Sequence, residues 1–149
     1  MSHIRYTIKS FDALSKDELY DVLRLRSEVF VVEQTSIYQD VDNKDQLALH
    51  VMGVKDGKLI CYARIFDKGI YFKEASIGRV VIRKEARSHG YGHKLLKLCI
   101  TSIENYFSTK PIKISAQCYL ESFYKSHGFV PHGTPYLEDG IPHIAMYRS

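Results

Sequence analysis

The sequence predicts a mixed α/β fold, in which an antiparallel strand meander leads into one parallel strand pair joined by a helix. Three observations predict it. A capped amphipathic run follows a first alternating stretch. Asp/Gly turn signals then punctuate a series of strand-like runs. Past the middle, a strand is followed by a glycine loop, a helical stripe and another strand.

In chain order, "HIRYTIKSF" alternates as a strand. "SKDELYDVLRLRSEVFVVEQ" opens with Ser15 and, three positions on, Glu18, the pair of a capping box. Leu19, Val22, Leu23, Val29 and Phe30 recur at helical spacing, so a long amphipathic helix follows. Residues 34–46, "QTSIYQDVDNKDQ", lose that period and gain Asp and Asn, which predicts a surface loop. "LALHVMGVKDGKLICYARIF" reads as two strands joined at Asp56 and Gly57, a hairpin signal. "FDKGIYFKEASIGRVVI" turns near Asp67, Lys68 and Gly69, and "YLEDGIPHIAMYR" turns at Asp139 and Gly140. After the strand "SIGRVVI", Leu95, Cys99, Ile103 and Phe107 mark one helix face, with Lys94, Lys97, Thr101 and Glu104 on the other. "PIKISAQ" alternates as a strand, and "YLESFYKSHGF" is a short helix ended by Gly128. A strand–helix–strand crossover implies two parallel neighbours joined right-handedly. No repeat or linker interrupts the chain, so a single domain over residues 1–149 is expected.

Composition narrows the function classes. At 149 residues, with 45% hydrophobic and 26% charged side chains, the chain is long and apolar enough to bury a core, and disorder is not expected. A net charge of +4 suits a small anionic ligand, while no aromatic-basic platform supports nucleic-acid binding. Cys61, Cys99 and Cys118 are an odd number without metal-type spacing, and each reads as a small buried hydrophobe. With no signal peptide or long apolar span, a cytoplasmic protein without a membrane segment is expected. His89 and His93 stand one helical turn apart, and His127, His132 and His143 are available. No cysteine or carboxylate completes a metal set, so no metal is expected.

The stretch "EARSHGYGHKLL" carries the chemistry. A helix N-terminus offers free N–H groups and partial positive charge to an anion. Gly90 and Gly92 let the backbone turn and approach it, and Arg87 can add a charged contact to a phosphate. A P-loop needs a hydroxyl after its lysine, which His93 and Lys94 do not provide. The dinucleotide fingerprint needs a third small residue where Leu95 stands. What remains is R-x-x-G-x-G after a strand ending "VVI". That spacing resembles motif A of the GNAT superfamily of acyl-CoA N-acyltransferases.

The resemblance covers nearly the whole chain in order, and it implies the GNAT fold with a central, splayed parallel strand pair. It implies acetyl-CoA as cosubstrate. Val80, Val81 and Ile82 would lie along the pantetheine arm, and Arg87, Ser88, His89, Gly90, Tyr91 and Gly92 around the pyrophosphate. Gln117 stands where the family favours Asn. Tyr124 falls seven residues later, before Gly128 and Phe129, and so matches the tyrosine that protonates the departing thiolate. By itself Tyr124 also reads as a core aromatic. "RSEVFVVEQ", "YQDVDNKD" and "YLEDGIPHIAMYR" resemble the ElaA-type subgroup, whose acceptor is poorly defined.

The implied reaction moves an acetyl group to a primary amine, of a small molecule or a peptide, by direct transfer in a ternary complex. The amine must first lose a proton, and His143 and Glu33 are the candidate bases. Each has a plain alternative, as a histidine bridging strands and as a helix-end carboxylate in solvent. Arg79 and His50 are candidate acceptor-binding residues; Arg79 would suit an acidic acceptor or pair with a carboxylate across the sheet. A covalent acyl intermediate on Cys118 would need a lowered thiol pKa, with no partner near in sequence. Two other functions stay open. "RSEVF" also resembles the first helix of acyl-homoserine-lactone synthases, and the fold can bind coenzyme A without turnover. Pairing through edge strands makes a homodimer an expectation by analogy.

Overall fold

A computed structural model describes residues 3–149. Strands β1 (Arg5–Ser10), β2 (Leu49–Lys55), β3 (Lys58–Phe66) and β4 (Ser76–Ile82) form an antiparallel four-stranded sheet in sequential order. Strands β5 (Ile112–Gln117), β6 (Val130–Glu138) and β7 (Ile141–Arg148) form a second antiparallel sheet in the order β5-β7-β6. The two sheets meet at one parallel bridge, Ala75 with Ile112, where the Lys113 N–H donates to the Ala75 carbonyl at 2.9 Å. Beyond it β4 and β5 part, so the predicted parallel pair is a splayed one.

Helix α1 (Lys16–Arg26) starts at the predicted capping box. The Glu18 N–H donates to Ser15 Oγ at 3.0 Å and the Ser15 N–H to Glu18 Oε1 at 2.8 Å. The long helix does not stay regular: Ser27–Glu33 widens into a π-helical turn, with the Gln34 N–H bonding the Val29 carbonyl five residues back. The wider turn brings Phe30 and Gln34 onto the wall of the cleft described below. Both hairpin predictions hold, because Asp56 and Gly57 (φ 52° and 75°) and Asp139 and Gly140 (φ 52° and 77°) adopt the left-handed pairs that two-residue turns need. Residues 67–74 form no strand. The Gly69 N–H bonds the Phe72 and Lys73 carbonyls and coils the segment, leaving Tyr71 and Phe72 to face the cleft.

Helix α2 (Tyr91–Phe107) makes the crossover and buries Leu95, Leu96, Cys99 and Ile103 against Cys61, Ala63, Ile114 and Met146. Each such leucine or isoleucine contributes about 2 kcal/mol. On the opposite face, α1 packs Val22 and Leu25 onto Met52, Leu59, Tyr62 and Val81. Helix α3 (Glu121–Lys125) is one short turn past β5, closed by Gly128 at φ 88°. Among the described residues no helix is long and apolar enough to cross a membrane.

The segment 34–46 departs from the prediction of a surface loop. Ser36, Asp40 and Asp45 are buried. The physical reason is charge: a carboxylate inside a protein needs a cation, and two buried arginines, Arg26 and Arg64, wait beneath this loop.

Candidate active site

The glycine loop lies at the mouth of the splay. Gly90 is the N-cap of α2 at φ 78°, and no side chain caps the helix, so its first amides are open to a ligand. A Cβ at Gly90 would meet nothing within 4 Å, so the backbone conformation and not crowding calls for glycine there. At Gly92 a Cβ would lie 3.6 Å from the Phe123 ring, in ordinary contact. Ser88, also left-handed at φ 69°, and His89 are exposed, and Tyr91 accepts a hydrogen bond from Lys55 Nζ at 3.2 Å. Val80 faces the cleft, Val81 is buried beneath α1, and Ile82 is half-buried. Along this stretch β4 pairs with β3 alone, which leaves its other edge free to receive an extended ligand. An uncapped helix start beside an unpaired strand edge fits a long ligand with a phosphate end.

Arg87 belongs to this loop and is already engaged. Its Nη1 and Nη2 donate to the two Glu33 carboxylate oxygens at 2.6 and 3.0 Å, and its Nε donates to the Ile82 carbonyl at 3.1 Å. The hydrogen bond from Arg87 holds the Glu33 carboxyl below the usual range. Glu33, a candidate base from sequence, therefore sits outside the cleft as the partner of Arg87 in the glycine loop. His50 is not brought to the cleft either. It is 1% exposed, donates from Nε2 to the Asp45 carbonyl at 2.8 Å and accepts at Nδ1 from Tyr62 Oη at 2.6 Å. Burial pushes its pKa down and keeps the ring neutral, so it serves the core.

A cavity of about 110 Å³ opens between the separated strands. Gln117, at the end of β5, lines it and shares its amide with Gln34 at 3.3 Å. Tyr124 lines it from α3, its ring set edge-on to Phe123 and Phe129 with centroids 5.2 and 5.9 Å away. Burial raises the Tyr124 pKa well above the ordinary phenol value, so this hydroxyl keeps its proton across the neutral range.

His143, on β7, lines the same cavity and is 6% exposed. Its Nδ1 lies 2.7 Å from the Ile141 carbonyl, and a carbonyl only accepts, so Nδ1 carries a proton. Nε2 then faces Glu138 Oε2 at 3.3 Å. Glu138 in turn accepts from Ser115 Oγ at 3.1 Å, and Ser115 Oγ lies 2.5 Å from Tyr136 Oη. Sequence reasoning missed Glu138, Ser115 and Tyr136. The signal was alternation: Tyr136 and Glu138 share one face of β6, and the hairpin register sets Tyr136 opposite His143.

Beyond this group, three arginines and three aspartates form a neutral network under the 34–46 loop. Arg26 binds Asp40 at 2.8 Å and Asp45 at 2.7 Å. Arg64 binds Asp45 at 2.8 Å and also Asp42, and Arg79 binds Asp40 at 2.8 Å. Burial alone would raise the Asp42 pKa, but the Arg64 guanidinium outweighs it and holds the carboxyl at about 2. Arg79 reaches this network from a bulge in β4, where it adopts φ 50° as the register shifts between Tyr62 and Arg64. Ser36 Oγ donates to the Asp139 carbonyl at 3.0 Å and ties the loop to the β6–β7 turn.

Comparisons with known proteins agree with this geometry. The Acetyltransferase (GNAT) domain profile matches residues 12–149. Protein ElaA of Escherichia coli is 39% identical over 138 residues, which is 91% of this chain and 90% of that protein. Its crystal structure superposes with a TM-score of 0.92 at 36% identity, over 99% of this chain and 100% of that one. An acyl-CoA N-acyltransferase from Pseudomonas aeruginosa superposes with a TM-score of 0.93 at 40% identity, again over 99% and 100% of the two chains. The acyl-homoserine-lactone synthase LasI shares the fold alone, with a TM-score of 0.79 at 15% identity over 99% of this chain and 90% of that one.

Proposed function

The chain belongs to the GNAT acetyltransferase family, and on that premise we propose that it transfers the acetyl group of acetyl-CoA directly to a primary amine in a ternary complex. One observation carries the proposal. A buried phenol and an imidazole whose Nε2 faces only the Glu138 carboxylate line the same cavity, which opens beside the unpaired edge of β4.

The residues divide the work. The open amides of Tyr91 and Gly92 at the start of α2, with Arg87 released from Glu33, hold the pyrophosphate. Main-chain groups of Val80 and Ile82 pair with the pantetheine amides, as a neighbouring strand would. The Gln117 amide supports the arm from the other side of the splay. The cosubstrate supplies an activated acetyl carbonyl. His143 Nε2 takes a proton from the acceptor ammonium so that the nitrogen lone pair can attack, and Tyr124 gives its proton to the departing sulfur. A positioned acid or base of this kind contributes about a hundredfold to ten-thousandfold in rate.

Titration of the protein with acetyl-CoA in a calorimeter, with ADP and pantetheine as separate ligands, tests the binding half. One saturable site tighter for acetyl-CoA than for either fragment is the expected result. A thiol-release screen over amines then tests turnover, and absence of acetyl-CoA binding would sink the reading.

A further inference from the structure

We infer that Glu138 joins His143 to select the acceptor, and that this acceptor is a primary ammonium on an alkyl or aryl body, with no carboxylate beside the nitrogen. The inference deepens the acetyltransferase reading and rests on it.

Charge in the cleft carries the inference. Among the described residues lining the cavity, the lysine and arginine cations are Arg64 and Arg79. Both are committed: Arg64 to Asp42 and Asp45, Arg79 to Asp40 and Asp42. With Arg26, the network holds three cations against three carboxylates and has no charge left for an acceptor's carboxylate. Lys113 places its ammonium over the Phe72 ring, 4.6 Å from the centroid, and does not line the cavity.

Glu138 is in the opposite situation. It lines the cavity with its side chain 43% exposed, and among the described residues no lysine or arginine pairs with it. Its oxygens take one neutral donor, Ser115 Oγ at 3.1 Å, and face His143 Nε2 at 3.3 Å. Because Nδ1 is pinned as the donor to Ile141, Nε2 carries a lone pair when the ring is neutral, and a lone pair facing a carboxylate is a mismatch. An ammonium resolves it, giving one N–H to Glu138 and one to Nε2. The aromatic rings of Phe30, Tyr71 and Phe72 line the same cavity and suit an apolar body behind that nitrogen.

The step balances. One ammonium proton moves to Nε2 and forms an imidazolium facing the Glu138 carboxylate. The freed lone pair forms the C–N bond as the C–S bond breaks, and the sulfur takes the Tyr124 proton. The second nitrogen proton returns to the Tyr124 oxygen, and the imidazolium proton leaves to solvent. The net products are the amide, coenzyme A and one proton.

The experiment pairs amines with the amino acids that add only a carboxylate: phenylethylamine with phenylalanine, and isopentylamine with leucine. Acetyl-CoA is the donor, and the readout is thiol release by the wild-type chain and by Glu138→Gln. The expected result is at least a tenfold higher kcat/KM for each amine than for its amino acid. Glu138→Gln should raise the amine KM about tenfold and leave the acetyl-CoA KM unchanged, which also certifies its fold. Glu138→Asp should recover part of the loss. Equal or better use of the amino acids, or an unaltered amine KM in Glu138→Gln, overturns the inference while the acetyltransferase stands. Retained acetyl-CoA binding with no turnover of any of the four compounds overturns both.

Discussion

The two walls of the cleft are built from different material. The wall we assign to the coenzyme is main chain: the edge of β4 and the first amides of α2, placed by one contiguous stretch from Ser76 to Gly92. The wall we assign to the acceptor is side chain: Phe30, Tyr71, Ser115, Tyr124, Glu138 and His143 arrive from separate segments and meet only in the folded chain. Main-chain recognition needs a backbone path and tolerates most side chains, so one frame can serve a whole family. Side-chain recognition must be assembled for each acceptor, and its assembly here depends on a buried ionic network that holds the 34–46 loop in place. On that assignment the cosubstrate is a property of the fold, and the acceptor a property of this chain.

Substitutions that touch one wall at a time sharpen the contrast. The largest effect is expected for Asp45→Ala. It deprives two buried guanidiniums, Arg26 and Arg64, of a shared carboxylate, and such a loss destabilises by about 3–5 kcal/mol. Urea unfolding should show that drop; a midpoint within experimental error of the wild type would mean that the network does not hold the acceptor wall.

Tyr124→Phe removes the proposed proton donor and little else. Thiol release should fall about a hundredfold or more while acetyl-CoA affinity, followed by calorimetry, stays within about twofold. Undiminished turnover would return Tyr124 to a packing role.

On the coenzyme wall, Gly90→Val places a β-branched residue at φ 78°, which costs about 1–2 kcal/mol and moves the loop off its conformation. About tenfold weaker acetyl-CoA binding is expected, with the urea midpoint lowered only modestly. Unchanged affinity would separate the glycine from the phosphate.

The smallest effect should be a gain. Glu33→Gln frees Arg87 from a half-exposed ion pair that the pyrophosphate would otherwise have to displace, and such pairs are worth about 1 kcal/mol or less. Acetyl-CoA should bind about threefold tighter at low salt, with the difference shrinking as ionic strength rises. Weaker binding would show that Glu33 orients Arg87 for the phosphate and does not compete for it.

Legibility follows the same division. The capping box at Ser15, both two-residue hairpins, the stripe of α2 and the loop around Gly90 were readable because each is a local device whose partners lie within a few residues. The family followed from their order and from Tyr124 in register with Gln117. Other features were not readable. The sequence 34–46 has the polar composition of a solvated loop, and nothing local says that Asp40 and Asp45 are buried, because their partners Arg26 and Arg64 lie 14 and 19 residues away. His50 and Glu33 looked available as site residues for the same reason. Each is claimed by a distant group, His50 by Tyr62 and Glu33 by Arg87, 54 residues on.

The sequence by itself determined the elements, their order and the glycine loop before α2, since hydrophobic period, caps and positive-φ turns act over one or two turns of chain. Only the tertiary structure decided how far β4 and β5 part, which arginines are already neutralised, and that Glu138 stands against His143 with, among the described residues, no lysine or arginine paired to it. Those outcomes depend on long-range charge pairing and strand register, which join residues that the linear chain keeps apart.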